Sequence, residues 1–131
     1  MNHYILEAKE FLQEARNEFQ RGQEGNNLIL MREACEKAWG ATVQTINALF
    51  IKLNLSPLPK THRERRLKLQ ELEKAEPLIK EKAFLDRFMA RDHLLHERAF
   101  YDGDIVPYQI EAELEKVDSL IRDVESFELS Q

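Results

Sequence analysis

The chain has 131 residues, 43% of them hydrophobic and 33% charged, with a formal net charge of −5. This is the length of one domain, residues 1–131, and it is too apolar for a disordered segment. Four glycines and four prolines are too few for the tight turns of a sandwich or barrel, and the acidic balance speaks against binding nucleic acid over the whole surface.

From about Asn2 to Arg21, the residues Tyr4, Ala8, Phe11, Leu12, Ala15 and Phe19 form one apolar helical face. Gly22 and Gly25-Asn26-Asn27 are expected to end that helix. Leu28 to Asn54 is a longer periodic segment and the expected centre of the core, with Gly40 read as a point of close helix approach. Cys35, the only cysteine, excludes an intrachain disulfide and a cysteine-based zinc site. Its neighbours Met31, Ala34, Ala38 and Trp39 mark it as a small buried hydrophobe.

Ser56-Pro57-Leu58-Pro59 breaks the chain, and Thr61 to Glu64 fits a capping box. Pro77 suits a helix first turn, so residues 61–101 are one kinked helix or two. Asp102-Gly103-Asp104 is a turn, and Pro107 opens a last helix with Ile110, Leu114, Val117, Ile121 and Val124 inward. Nothing reads as a strand. The expected fold is all-α, an up-and-down bundle of four to five antiparallel helices. There is no apolar run of membrane-spanning length and no hydrophobic leader, which gives a cytoplasmic expectation.

One helical stripe departs from this plain pattern. Leu85, Phe88, Met89, Asp92, Leu95, His96 and Ala99 follow core spacing, with Asp92 and His96 where leucines would sit. A carboxylate and an imidazole four residues apart share a helix face and can touch. Arg91 lies beside them with a fork suited to phosphate. Together they fit phosphodiester chemistry, with His96 as general acid or base, Arg91 as charge clamp and Asp92 as orienter. Tyr101 can add a hydroxyl donor. The simpler account is a solvated, salt-bridged cluster at a helix end, and from spacing alone it is the more frequent outcome.

His93, His96 and Glu97 also invite a metal reading. Bundle metal centres want Glu-x-x-His from two helices. Glu33 to Glu36 offers acids without a matching histidine, so no metal and no cofactor is assigned. Lys60 to Leu69 carries a net charge of +4, against −7 from Asp102 onward. Arg63, Arg65, Arg66 and Lys68 are therefore candidate contacts to an RNA backbone, with a solvated helical connector as the alternative. His3 and His62 carry no readable signal.

Arg91, the polar Asp92 and His96, with four residues between arginine and histidine, resemble the hallmark of the HEPN superfamily (higher eukaryote and prokaryote nucleotide-binding). Arg32 to Ala41 is similar to that superfamily's long second helix, and the length and layout look closest to its archaeal PaREP branch. The resemblance implies a helical bundle, commonly a homodimer. In active members an arginine and a histidine at a cleft cleave RNA without metal, the 2′-hydroxyl attacking the adjacent phosphate to leave a cyclic phosphate. Other members bind RNA, nucleotides or a nucleotidyltransferase partner without catalysis. Many toxin members carry a tyrosine closer behind the histidine. Here Glu97-Arg98 intervenes before Phe100-Tyr101. The resulting expectation is a metal-independent endoribonuclease using Arg91 and His96. The alternative is a non-catalytic RNA-binding or protein-interaction bundle.

Overall fold

In the computed structural model, which describes residues 2–129, α1 (His3–Glu24) and α2 (Leu28–Lys52) form an antiparallel pair that is the most extensive in the molecule. The Asn2 side chain accepts from Tyr4 N–H and caps α1, while its amide donates to the Ala48 carbonyl at 3.0 Å near the far end of α2. Asn26, at φ +49, turns the chain, and Asn27 caps α2 by accepting from Leu30 N–H.

Gly22 does not end α1. It is buried inside the helix, where an added Cβ would lie 2.6 Å from Met31 Cγ and 3.1 Å from Met31 N. The glycine serves the close entry of α2, and the chain stays helical to Glu24. At Gly40 the neighbour is a side chain, Phe11, with an added Cβ falling 3.4 Å from Phe11 Cδ2.

α2 is the central element, paired with α1 and also in contact with later helices of the bundle. After the proline-rich break, α3 (His62–Ala75) begins as expected, with Thr61 Oγ1 accepting from Glu64 N–H. Glu64 reaches back to Lys60 N–H at 2.9 Å, one residue beyond the N-cap N–H of a strict capping box. Residues 61–101 are neither one helix nor two. Pro77 opens a short α4 (Pro77–Glu81), and Ala83, in the left-handed region at φ +56, redirects the chain into α5 (Phe84–Arg91).

α5 runs directly into a ten-residue π-helix (Asp92–Tyr101). Its bonds close five residues apart, as in Asp102 N–H to the Glu97 carbonyl at 3.0 Å. α6 (Pro107–Glu125) returns against α1 and α2. The described chain is thus an all-α bundle with six α-helices, more than the four to five expected, because the 61–101 region breaks at Glu76 and Ala83. Phe19, Phe50, Phe84, Phe88, Ile46 and Leu49 are among its fully buried side chains. No described helix is long and apolar enough to cross a membrane.

Candidate functional site

His96 sits mid-way along the π-helix. The widened register favours contact between residues five apart, and it sets Tyr101 edge-on to the His96 ring at 4.9 Å between centroids. Phe100 stacks on the imidazole at 6.3 Å and 17°, and Trp39 of α2 lies 5.8 Å away. His96 Nδ1 is 2.6 Å from Glu36 Oε1, also on α2. An ionised carboxylate only accepts, so Nδ1 carries the proton and Nε2 of the neutral ring keeps its lone pair. Nε2 makes no hydrogen bond among the described residues, and the side chain is 21% exposed.

Asp92 does not take the orienting role expected for it. The four-residue spacing that brings such a pair together in an α-helix falls inside the π-helix, and Glu36 occupies the Nδ1 position instead. Asp92 is half-buried, and its charge acts on His62.

Arg91 is not a free clamp. It ends α5 in a buried ion pair, Nε donating to Glu113 Oε1 of α6 at 2.9 Å. Lys116 Nζ holds the other Glu113 oxygen at 3.1 Å. Arg91 borders a hollow of about 350 Å³ that it shares with Arg87, Lys116 and Ser119, and His96 does not line that hollow. The guanidinium therefore engages α6 while the imidazole engages α2.

The basic segment also divides. Arg65 is only 8% exposed, donating from Nε to Asn47 Oδ1 at 3.2 Å and from Nη1 to His62 Nδ1 at 3.1 Å. It is a wall of the interior, not a surface contact. Its place on the inner face of α3 was hidden by the run of charge around it. Arg63 is exposed, Arg66 half-buried, and Lys68 pairs with Glu71 at 3.3 Å.

Two residues at this site escaped sequence reasoning. Glu36 lies sixty residues from His96, and only its place three before Trp39 on one face of α2 hints at the contact. His62 packs against Trp39 at 5.0 Å, Phe88 at 6.3 Å and His96 at 6.2 Å. Its position just after the Thr61 cap is its only signal. Burial, and next the Arg65 charge, hold the His62 imidazole below its ordinary range. Beside the site, burial with help from Glu36 pushes the Cys35 thiol up to about 12. Among the described residues, no three or more His, Cys, Asp or Glu are grouped to hold a metal ion.

The site therefore consists of a carboxylate-held imidazole, a second imidazole and an aromatic surround, built from α2, α3, α5 and the π-helix. A model of the archaeal PaREP1/PaREP8 family matches residues 3–121. The chain belongs to that family. The match spans every element that builds the site and agrees with the PaREP part of the resemblance. Comparison with curated proteins found no match, and comparison with solved structures found none. For this PaREP1/PaREP8 member, chemical roles therefore rest on the side chains themselves.

Proposed function

We propose that this PaREP1/PaREP8 protein is a HEPN-like RNA-processing protein, a metal-independent endoribonuclease centred on His96. The supporting observation is the Glu36–His96 pair. A carboxylate fixes Nδ1–H and leaves Nε2 unpartnered beside an exposed tyrosine. In the reaction, Nε2 takes the proton of an RNA 2′-hydroxyl. The 2′-oxygen bonds to the adjacent phosphorus, the P–O5′ bond breaks, and the leaving oxygen takes a proton from the imidazolium. The products are a 2′,3′-cyclic phosphate and a 5′-hydroxyl end. Exposed Tyr101 and the half-buried Phe100 offer faces on which an RNA base can stack. Arg63, Arg66 and Lys68 lie on α3, whose first residue is His62, and supply phosphate contacts. A homodimer, in which a second copy adds residues to the site, belongs to the same reading.

Incubating wild type and His96→Ala with structured and unstructured RNAs, chelator present, tests it. Cyclic-phosphate ends are expected from wild type alone. The variant should lose less than about 2 kcal/mol of stability, the order of one hydrogen bond to a charged group. Equal cleavage by both proteins removes His96 from the chemistry.

One observation favours the alternative, a non-catalytic RNA-binding or protein-interaction bundle such as the partner of a nucleotidyltransferase. The Arg91 fork is committed to Glu113 and does not face His96 Nε2. Wild type that binds RNA, or a nucleotidyltransferase, and releases no cyclic phosphate decides for this reading.

A further inference from the structure

His62 lies a single imidazole's width from His96, on a different helix, and its ring is held in the opposite tautomer. Arg65 Nη1 can only donate, so at 3.1 Å it occupies the lone pair of His62 Nδ1. The His62 proton is therefore on Nε2. In its neutral form His96 has the reverse pattern, with its proton on Nδ1 toward Glu36 and its lone pair on Nε2. The site thus presents one nitrogen that accepts and one that donates, with ring centroids 6.2 Å apart.

Burial first, and then the groups facing His62, disfavour a second proton on its ring. Arg65 and Arg66 on α3 and His96 on the π-helix disfavour a second proton, with Asp92 opposing them. Trp39 of α2 and Phe88 of α5 supply apolar walls that desolvate the ring. A neutral ring cannot serve as a strong acid near neutral pH. It can polarise an oxygen through Nε2–H, as an oxyanion-hole donor does.

We propose that His62 is a second substrate-contacting group of this site, a neutral donor whose Nε2–H bonds a non-bridging phosphate oxygen while His96 Nε2 takes the 2′-hydroxyl proton. No proton leaves His62; its hydrogen bond tightens as charge builds on phosphorus. Arg65 is the positioning residue that sets the tautomer. The inference rests on the reaction proposed above.

The test pairs cleavage with a readout that needs no turnover. With single-stranded RNA, His62→Ala should lower kcat by about a hundredfold or more, the scale of losing one oxyanion donor. His62→Gln, whose side-chain amide can place a donor near Nε2, should recover part of that loss. Imidazole nitrogen NMR of the wild-type protein should show His62 as the Nε2–H tautomer, titrating below an ordinary histidine. Arg65→Met should release the tautomer and raise the titration only in part, because burial, the larger cause, remains. Adding the 2′-deoxy counterpart of the RNA, which binds and cannot cyclise, should shift the His62 resonances.

If wild type cleaves and His62→Ala matches it, the His62 proposal is overturned while the role of His96 stands. If wild type does not cleave, the reaction falls and the 2′-deoxy strand decides for His62. Resonances unmoved at the highest strand concentration overturn a contact role, and a saturable shift keeps it.

Discussion

Removing Arg91 or Glu113 alone strands a buried charge, and the two substitutions together do not. Each residue is about 95% buried, with the 2.9 Å contact linking α5 to α6. Arg91→Met should cost about 3–5 kcal/mol, towards the low end because Lys116 can still neutralise Glu113. The double variant Arg91→Met with Glu113→Leu should recover most of that loss. Urea unfolding of the four members of the cycle measures it, and a purely additive result would show the pair to be uncoupled. The same pair explains what the sequence could and could not reveal here. The unusual placement of charge in the stripe was legible from Phe88 to Ala99. The partners were not, because Glu113 and Glu36 reach their places by docking of helices far apart in the chain. Arg65 misled for a related reason. A charge run reads as solvated until tertiary packing supplies Asn47 and His62 as acceptors.

At the level of elements, α1 and α2 followed their apolar periodicity closely, and Thr61 and Pro77 started helices where cap chemistry placed them. Gly22 did not follow turn logic, because its missing side chain is used for contact. Gly22→Ala puts a methyl group 2.6 Å from Met31 Cγ. Overpacking of about 1–3 kcal/mol is set against roughly 1 kcal/mol of helix propensity gained, leaving a net loss of up to about 2 kcal/mol. Thermal unfolding followed by circular dichroism checks it, and an unchanged midpoint would mean that Met31 moves aside freely. The π-helix could not be read from an apolar period of 3.6. It is anchored at its end by Arg32, whose Nε and Nη2 donate to the Phe100 and Tyr101 carbonyls at 2.7 and 2.6 Å.

Across the whole molecule, a net charge of −5 leaves little attraction for a polyanion. The basic stretch on α3 shrinks further once Arg65 is withdrawn into the interior. Arg63, Arg66 and Lys68 remain, and Lys68 must first leave Glu71. Three neutralised phosphates on a single strand give a log–log salt slope of about −2. RNA affinity measured between low and physiological salt should follow that shallow line. A slope several times steeper would mean that a further cationic surface, such as one from a second copy, takes part.

A second thread crosses the bundle. From His62 it runs through Arg65, Asn47 and Gln44 to Glu7 on α1, with Gln44 donating to Glu7 at 2.8 Å and Asn47 to Gln44 at 2.8 Å. It ties the placement of one imidazole to the packing of the first helix, so the site belongs to the assembled bundle and not to the Leu85 to Ala99 stripe alone.

The ten-residue π-helix carries a consequence for how such chains can differ in length. A helix wound at i→i+5 has slack that a tight α-helix lacks. One residue lost between Arg91 and His96 can be absorbed by reverting a turn to α winding, and one gained by extending the wide stretch. In either case α5 stays locked to Glu113 at one end and Arg32 keeps its grip on the other. Variable spacing between an arginine and a histidine is then compatible with a fixed home for the imidazole.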